Sequence, residues 1–549
     1  MKIQNTSLLL VGALACTPVV AQPADIILTQ GKIISADAQD KIYQAMAVRD
    51  GKIIALGKSK EMQAWKGSQT QVINLKGKVV IPGLIDSHMH AIRAALSYST
   101  EVHWFGLNSI EAALDKLKQA AVRAKPGEWL IVAGGWTEEQ FKEGRRPTQE
   151  ELSLAAPNNP VYVQWMYEWV MLTPAAYKTL NIQSEADLPG GGKFQLDANG
   201  KPTGAIIGGI VPLFDKLPKP NFEDKVNGTQ KFFSELNRAG VTGVIDPGGF
   251  NMSPTEYAPL FQVWRNKQLT VRVNYSYFAQ KPNKEFEEFK ELTQLLPMRF
   301  GDDMLRFNGI GERVTFSMYN NDKATPADQE KFYQVARWAA QNGYTLTQHW
   351  QENASAATLL DVFERVNQEF PIAKLRWSIA HLNNGTEATF KRMKALGVGW
   401  AIQDAMYLDG DKALHRHGDK QLERMPPINT ALKLGIPIGA GTDAHRVADY
   451  NPFIALRWML DGKSASGRKL RGDDEIPSRM QALKMYTSGS AWLAHDEQKR
   501  GTLEVGKLAD LAVLSDDYLN VPLEKIAQIH SQLTMVGGNI VYREGLKQP

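Results

Sequence analysis

Past its N-terminal segment the chain alternates short, largely apolar runs with longer stretches of helical spacing. Val79–Asp86, Val241–Asp246, Thr270–Tyr277, Arg306–Val314, Thr345–His349, Arg376–His381, Val398–Gln403 and Pro437–Thr442 are the short runs, rich in Val and Ile and bounded by Gly, Pro, Asn or Asp. Runs of that length read as strands buried on both faces, the condition of a parallel sheet. Between them, Pro326–Asn342 and Glu352–Phe370 place apolar residues on one helical face, and Thr325-Pro326 supplies a cap and a first-turn proline. Eight strands joined by crossover helices predict an α/β fold, a TIM (β/α)8 barrel.

The alternation fails in three places. Between the first two strands, residues 91–225 hold Trp129–Trp136, Val161–Met166 and a hairpin signal at Asn199-Gly200, which predicts an inserted subdomain after strand 1. The two ends carry short strands with tight turns: Asp25–Ile34, Ala45–Arg49 and Lys52–Leu56 around Asp50-Gly51, then Ala509–Leu514 and Thr534–Tyr542 around Gly537-Gly538. They predict a small composite β-sandwich, with 22–78 and 496–549 as its two parts and the barrel over 79–495. At the N-terminus, Lys2 precedes an apolar run from Leu8 to Ala15, and Val19-Val20-Ala21 offers small-residue cleavage. Residues 1–21 therefore read as a signal peptide, which implies export, to a periplasm. Cys16 is the sole cysteine, and anchoring through it as a lipoprotein is the minor alternative, because Ala13 stands where such sites carry Leu or Val. Cleavage after Ala21 would leave no thiol for disulfides or zinc. No membrane span is expected beyond this segment.

Composition narrows the partner. The chain has 549 residues, 43% hydrophobic and 22% charged, with a net charge of +4. That is a globular composition with no basic footprint for nucleic acid, so a small-molecule substrate is expected. Association between copies of the chain is left open.

Candidate chemistry clusters at the strand ends. His88 and His90 close the first run, and alternate residues of an extended strand share a face, so two imidazoles can converge on one point as a metal requires. The same spacing suits two ordinary polar residues at a strand end. The other strands decide between these readings. His349 and His381 end the fifth and sixth, Asp443 follows the eighth, and Glu312 is expected on the fourth. Strand C-terminal ends form the active-site mouth of a barrel, whereas structural histidines scatter over helices and loops.

In the order Pro82–His90, His349, His381, Gly441-Thr442-Asp443-Ala444 and Gly501–Leu511, the chain resembles the amidohydrolase superfamily. Its long insertion and Gly135-Trp136-Thr137-Glu138 resemble the amidohydrolase family 3 branch. The resemblance implies a metal-dependent barrel with one or two divalent ions, zinc by ligand type, although manganese, iron or cobalt fit the same donors. It implies that His88, His90 and Asp443 hold one ion and that His349 and His381 hold a second. Glu312 stands where many relatives carry a carbamylated lysine; it bridges two ions through its two oxygens or is a structural strand residue paired with a base such as Arg313. The implied reaction is hydrolysis of a carbon–nitrogen bond outside peptide chains, an amide or cyclic amide, by water activated on the metal, with Asp443 as general base and acid. Deamination or lactone hydrolysis at the same site and a non-catalytic binding protein on the same fold are the alternatives.

Substrate contacts are less defined. Trp136, Trp169, Trp350, Gln403, His445 and Arg446 are candidates, Arg446 as a clamp for a carboxylate or else in a loop ion pair. The insertion also holds Trp104, Phe105, Trp165 and Tyr167, which wall an apolar pocket or fill the insertion's own core. Glu168-Trp169 replaces the Gly-His found in many family 3 members. His415, Arg416 and His417 read as a polar cluster in the loop after strand seven, and His103, His495 and His530 carry no assigned chemistry.

Overall fold

The structure is a computed structural model that describes residues 22–319, 323–350, 352–418 and 424–545. The expected signal peptide and Cys16 lie outside the described residues. At the centre are eight parallel strands: β1 (Leu84–Asp86), β2 (Val241–Asp246), β3 (Arg272–Tyr277), β4 (Leu305–Ile310), β5 (Thr347–Trp350), β6 (Ser378–His381), β7 (Gly399–Gln403) and β8 (Ile438–Gly441). They form two four-stranded sheets, β4-β3-β2-β1 and β5-β6-β7-β8. A parallel bridge between Ile310 and Leu346 joins the sheets on one side. On the other, Ser87 N–H donates to Ala440 O (2.9 Å) and Asp443 N–H to His88 O (2.8 Å).

The strands' β-branched and aromatic residues meet the buried faces of surrounding helices. Val244, Val273, Phe307 and Ile379 share one core with Phe332 and Ala336 of the helix Pro326–Gln341 and with Leu359 and Phe363 of Asn353–Glu369. Thr325 caps the first of these helices, accepting from Asp328 N–H (3.2 Å) with Pro326 in its first turn, so the sequence signal for its start is met.

Three expectations need correction. The run expected as one strand over Val79–Asp86 is two: Val79–Pro82 pairs with Leu511–Leu514, and only Leu84–Asp86 joins the parallel sheet. The break falls at Gly83, whose N–H donates to Asp510 O and where a Cβ would stand 2.2 Å from Thr242 Oγ1. The fourth strand ends at Ile310, before Glu312, because Gly309 and Gly311 take φ of +106° and +144° and turn the chain out of the ladder. His415, Arg416 and His417 end a helix, Ala405–His417, rather than lying in a loop; Gly410 and the charged residues around it hid that helix from a periodicity reading.

Residues between β1 and β2 contain a five-stranded mixed sheet in the order 193–196, 202–207, 169–172, 161–165 and 130–132. Gly200, at φ +76°, turns the hairpin between its first two strands. Strands from the two ends of the chain interleave in a six-stranded sheet, where Leu511–Leu514 lies between Val79–Pro82 and Ser531–Val536. That sheet is pinned to the parallel strands by a buried ion pair: Arg272 of β3 donates from Nε to Asp510 Oδ2 (2.7 Å) and from Nη2 to Oδ1 (2.9 Å), and Gly537 N–H also donates to Asp510. Removing one partner of a buried pair strands the other charge. Arg272→Ala should therefore lower unfolding free energy by about 3–5 kcal/mol, read as a lower urea midpoint. The double change Arg272→Met with Asp510→Leu should recover most of that loss, and a single variant as stable as the parent would show that the pair does not pin the sheets.

Candidate metal centre

Six side chains from five strand ends meet in one buried volume. His88 and His90 lie beyond the end of β1, not on it, so strand alternation is not what brings them together. Their segment is stitched down by Met89 N–H to Ile245 O (3.1 Å) and His90 N–H to Ala444 O (3.2 Å), and His90 then caps helix α1 (Ala91–Ser97). Glu312 sits two residues past β4, where His349 N–H donates to its carbonyl oxygen (3.0 Å). His349 is inside β5, His381 ends β6 and Asp443 lies two residues past β8. His381 and Asp443 adopt φ of +69° and +59°. Such backbone costs a non-glycine residue about 1–3 kcal/mol and persists only where surrounding contacts impose it.

The donor atoms face one another closely. His88 Nε2 is 3.2 Å from Glu312 Oε2 and 3.8 Å from Asp443 Oδ1; His90 Nε2 is 3.4 Å from Glu312 Oε1 and 3.2 Å from Asp443 Oδ1. A tetrahedral ion with bonds of ~2.05 Å separates its donors by ~3.3 Å. On the other side, His349 Nδ1 is 2.9 Å from Glu312 Oε2 and 2.7 Å from His381 Nε2, and His381 Nε2 is 3.4 Å from Glu312 Oε2. Glu312 thus stands between the His88/His90 and His349/His381 pairs, and Arg313 does not pair with it. Arg313 instead donates to Ala279 O and lies 3.8 Å over the Phe316 ring. The buried Nε2 of His88 has no hydrogen-bond partner among the described residues. An orphaned imidazole nitrogen in a cage of nitrogen and carboxylate donors fits a divalent cation.

The charge balance agrees. Burial alone would raise Glu312, but His349 and His88 hold it well below the usual carboxylate range, and Asp443 is lowered, against burial, by His90 and His381. Burial and the neighbouring His381 push His349 down. Burial and Arg93 act to lower His90, yet Asp443 and Glu312 raise it well above its ordinary value. Two ionised carboxylates among imidazoles make a cage that attracts positive charge.

A second layer aims the first. His90 Nδ1 donates to Gly248 O (2.5 Å), which turns its Nε2 inward. Asp246, at the end of β2, accepts from Gly248 N–H and Ile92 N–H, both at 2.7 Å, and so holds both His90's acceptor and the first turn of α1. Asp86 does the same between β1 and β8: it accepts from His88 N–H (3.0 Å) and from Thr442 Oγ1–H (2.7 Å). Gln403 Oε1 accepts from His381 N–H (2.9 Å), so Gln403 positions a candidate ligand. Tyr319 stacks on His349 at 4.5 Å. Asp86, Asp246 and Tyr319 were not singled out from sequence, although a carboxylate ending a strand was a signal available for the first two.

The remaining candidates fall elsewhere. A cavity of about 220 Å³ opens beside α1, and of the six substrate candidates only Arg446 lines it. Arg446 is not free to clamp a substrate, because Glu101 takes its fork at 2.8 and 2.9 Å. His445 contacts the same carboxylate at 2.9 Å, and burial with the Arg446 charge pushes it down to about 3. Trp136 and Trp350 are fully buried, their indole N–H groups donating to Gln164 O and Ser355 Oγ. Trp169 is buried against the Arg146 guanidinium, 4.4 Å away, in a separate groove. His103 and His495 are held by Tyr98 O and Thr345 Oγ1.

Comparisons with known proteins cover almost the whole chain. A profile of the amidohydrolase family matches residues 71–542. Protein LONG AFTER FAR-RED 3 of Arabidopsis thaliana is 25% identical over 96% of this chain and 93% of its own. The N-substituted formamide deformylase of Arthrobacter pascens is 22% identical, over 95% of this chain and 99% of its own. Among solved structures, an uncharacterized metal-dependent hydrolase from Pyrococcus horikoshii superposes with a TM-score of 0.65 at 20% identity, covering 91% of this chain and 99% of that one.

The second layer is testable on its own. Asp246→Ala should weaken zinc affinity by about 10–100-fold in competition with a chelating dye, with the far-ultraviolet circular dichroism unchanged. Affinity equal to the parent would mean that His90 keeps its aim without this carboxylate.

Proposed function

Because the chain belongs to the amidohydrolase family, we propose that it is a metal-dependent hydrolase of carbon–nitrogen bonds outside peptide chains, acting on a small amide, formamide or cyclic amide. The observation that carries this reading is the buried cage of His88, His90, Glu312, His349, His381 and Asp443, whose donors lie at metal-ligand separations. Relatives support it: one is named as an N-substituted formamide deformylase, and shorter matches are named as adenine deaminases. We read the two parallel sheets as one closed (β/α)8 barrel with the cage at its C-terminal mouth, on the strength of the contacts along both sheet edges. Residues 1–21 support export of the mature chain.

His88, His90 and Asp443 would hold one ion and His349 and His381 a second, with Glu312 between them; the donors are of the kind zinc takes. Such an ion, when bound, supplies Lewis acidity toward a substrate carbonyl and acidifies water. Asp443 is the residue that moves the proton. Ionised, and held by His90 at 3.2 Å, its carboxylate takes a proton from the attacking water and returns it to the leaving nitrogen. Glu312 offers Oε1 to the His90 side and Oε2 to the His349 side.

Asp443→Asn should retain bound metal by elemental analysis and lose about 10²–10⁴-fold in kcat; residual activity near the parent value would remove Asp443 from proton transfer. Chelator treatment should abolish turnover of a panel of formamides, N-acyl amines and cyclic amides, and zinc should restore it. Release of formate, amine or ammonia identifies the bond cleaved, and a protein that holds no metal and turns over no member of the panel would overturn the assignment.

A further inference from the structure

The cavity beside the metal centre has a chemistry of its own. It lies between α1, the tip of the hairpin at residues 161–172 and the segment after β2, and its walls include Arg93, Leu96, Tyr167, Val211, Phe214 and Phe250. Arg93 is on the helix that His90 caps, and a Cβ placed on Gly249 would stand 3.5 Å from both Arg93 Cδ and His90 Nδ1. A row of rings leads from the cavity to the cage: Tyr167 to Phe250 (5.9 Å), Phe250 to Tyr319 (6.3 Å) and Tyr319 to His349 (4.5 Å).

Two polar groups in these walls have no partner. Arg93 Nε and the Tyr167 hydroxyl are both buried and neither makes a hydrogen bond among the described residues. The Arg93 guanidinium lies 6.0 Å from the Tyr167 ring and 5.8 Å from Phe250. Every other charge on the cavity wall is matched: Glu101 by Arg446, Asp215 by Lys219, Glu256 by Lys225. Buried polar groups are almost always satisfied, and a guanidinium whose buried Nε makes no hydrogen bond is one that an anionic ligand can complete. The guanidinium fork matches a carboxylate, the phenol adds a third donor, and the apolar walls suit a hydrocarbon body.

We propose that this cavity is the specificity pocket of the hydrolytic site and that Arg93 and Tyr167 hold a carboxylate carried by an otherwise apolar substrate. The proposal rests on the function given above, so its test has one arm that needs no turnover. Isothermal titration calorimetry of the full chain, zinc-loaded and chelator-treated, compares 4-phenylbutyrate with the uncharged 4-phenylbutanol. The carboxylate should bind at least about tenfold tighter in both states, in keeping with hydrogen bonds to a charged group. Arg93→Ala should erase that preference, Arg93→Lys should restore part of it as a point charge without the fork, and Tyr167→Phe should weaken the carboxylate alone by about five- to tenfold. In turnover, Arg93→Ala should raise KM for N-formyl amino acids with apolar side chains at least about tenfold more than for uncharged N-formyl amines, with the smaller effect on kcat. Equal binding of the two compounds by the parent, or an Arg93→Ala variant that keeps the preference, overturns the pocket. Arg93-dependent binding with no hydrolysis of any amide supports the pocket and overturns the hydrolase; hydrolysis indifferent to Arg93 does the reverse.

Discussion

Four imidazoles and two carboxylates share one buried volume, and the surrounding fold is arranged to make that tolerable. Each group alone would be expensive to bury. Together they compensate: Glu312 is held ionised by the imidazoles beside it, and His90 is drawn toward the two carboxylates. Removing any member leaves another charge or lone pair without its counterpart. A cage balanced by mutual contact has little tolerance for displacement, and the local backbone reflects this. His381 and Asp443 sit in a conformation that their residue types disfavour, and Gly441 lacks a Cβ where one would come within 2.5 Å of Asp86 Oδ1 and His88 N.

The rigidity is supplied by carboxylates that never face the cage centre. Asp86 joins the ends of β1 and β8, and Asp246 joins the end of β2 to the first turn of α1 and to His90's acceptor. Burial raises both, to about 7 for Asp86 and about 6 for Asp246, against the backbone and hydroxyl donors that stabilise their charged forms. These donors are fixed by neighbouring strands, so orientation of the ligands depends on strand register throughout the parallel sheets. Further from the cage, the buried Arg272–Asp510 pair ties that register to the sheet built from both chain ends.

The insertion supplies what the strands do not. Its hairpin brings Tyr167 over α1, opposite Arg93, while Trp104, Trp136 and Trp165 fill its own core. Its edge also supplies Glu101, which neutralises Arg446 and fixes the segment after Asp443. One cationic side chain next to the cage is thus committed to structure, and another, three residues after His90, is left facing a cavity. Sequence spacing gave no means of telling Arg446 from Arg93, because what separates them is which one has a carboxylate within reach.

The alternation of buried runs and amphipathic helices was legible in the sequence, because a strand covered on both faces and a helix covered on one leave different periods of apolar residues. So were the candidate ligands, since histidines recur in order at the ends of such runs. Tertiary structure decided the rest. It divided the first run between two sheets at Gly83, where contact with Thr242 leaves no room for a side chain. It set Glu312 past the end of β4 and turned it to the histidines instead of Arg313. It buried Trp136 and Trp350, recruited Asp86 and Asp246, and left Arg93 Nε and the Tyr167 hydroxyl without a hydrogen bond among the described residues. Periodicity records what a residue does within its own element; which groups meet across elements far apart in sequence depends on packing, which one element's pattern does not contain.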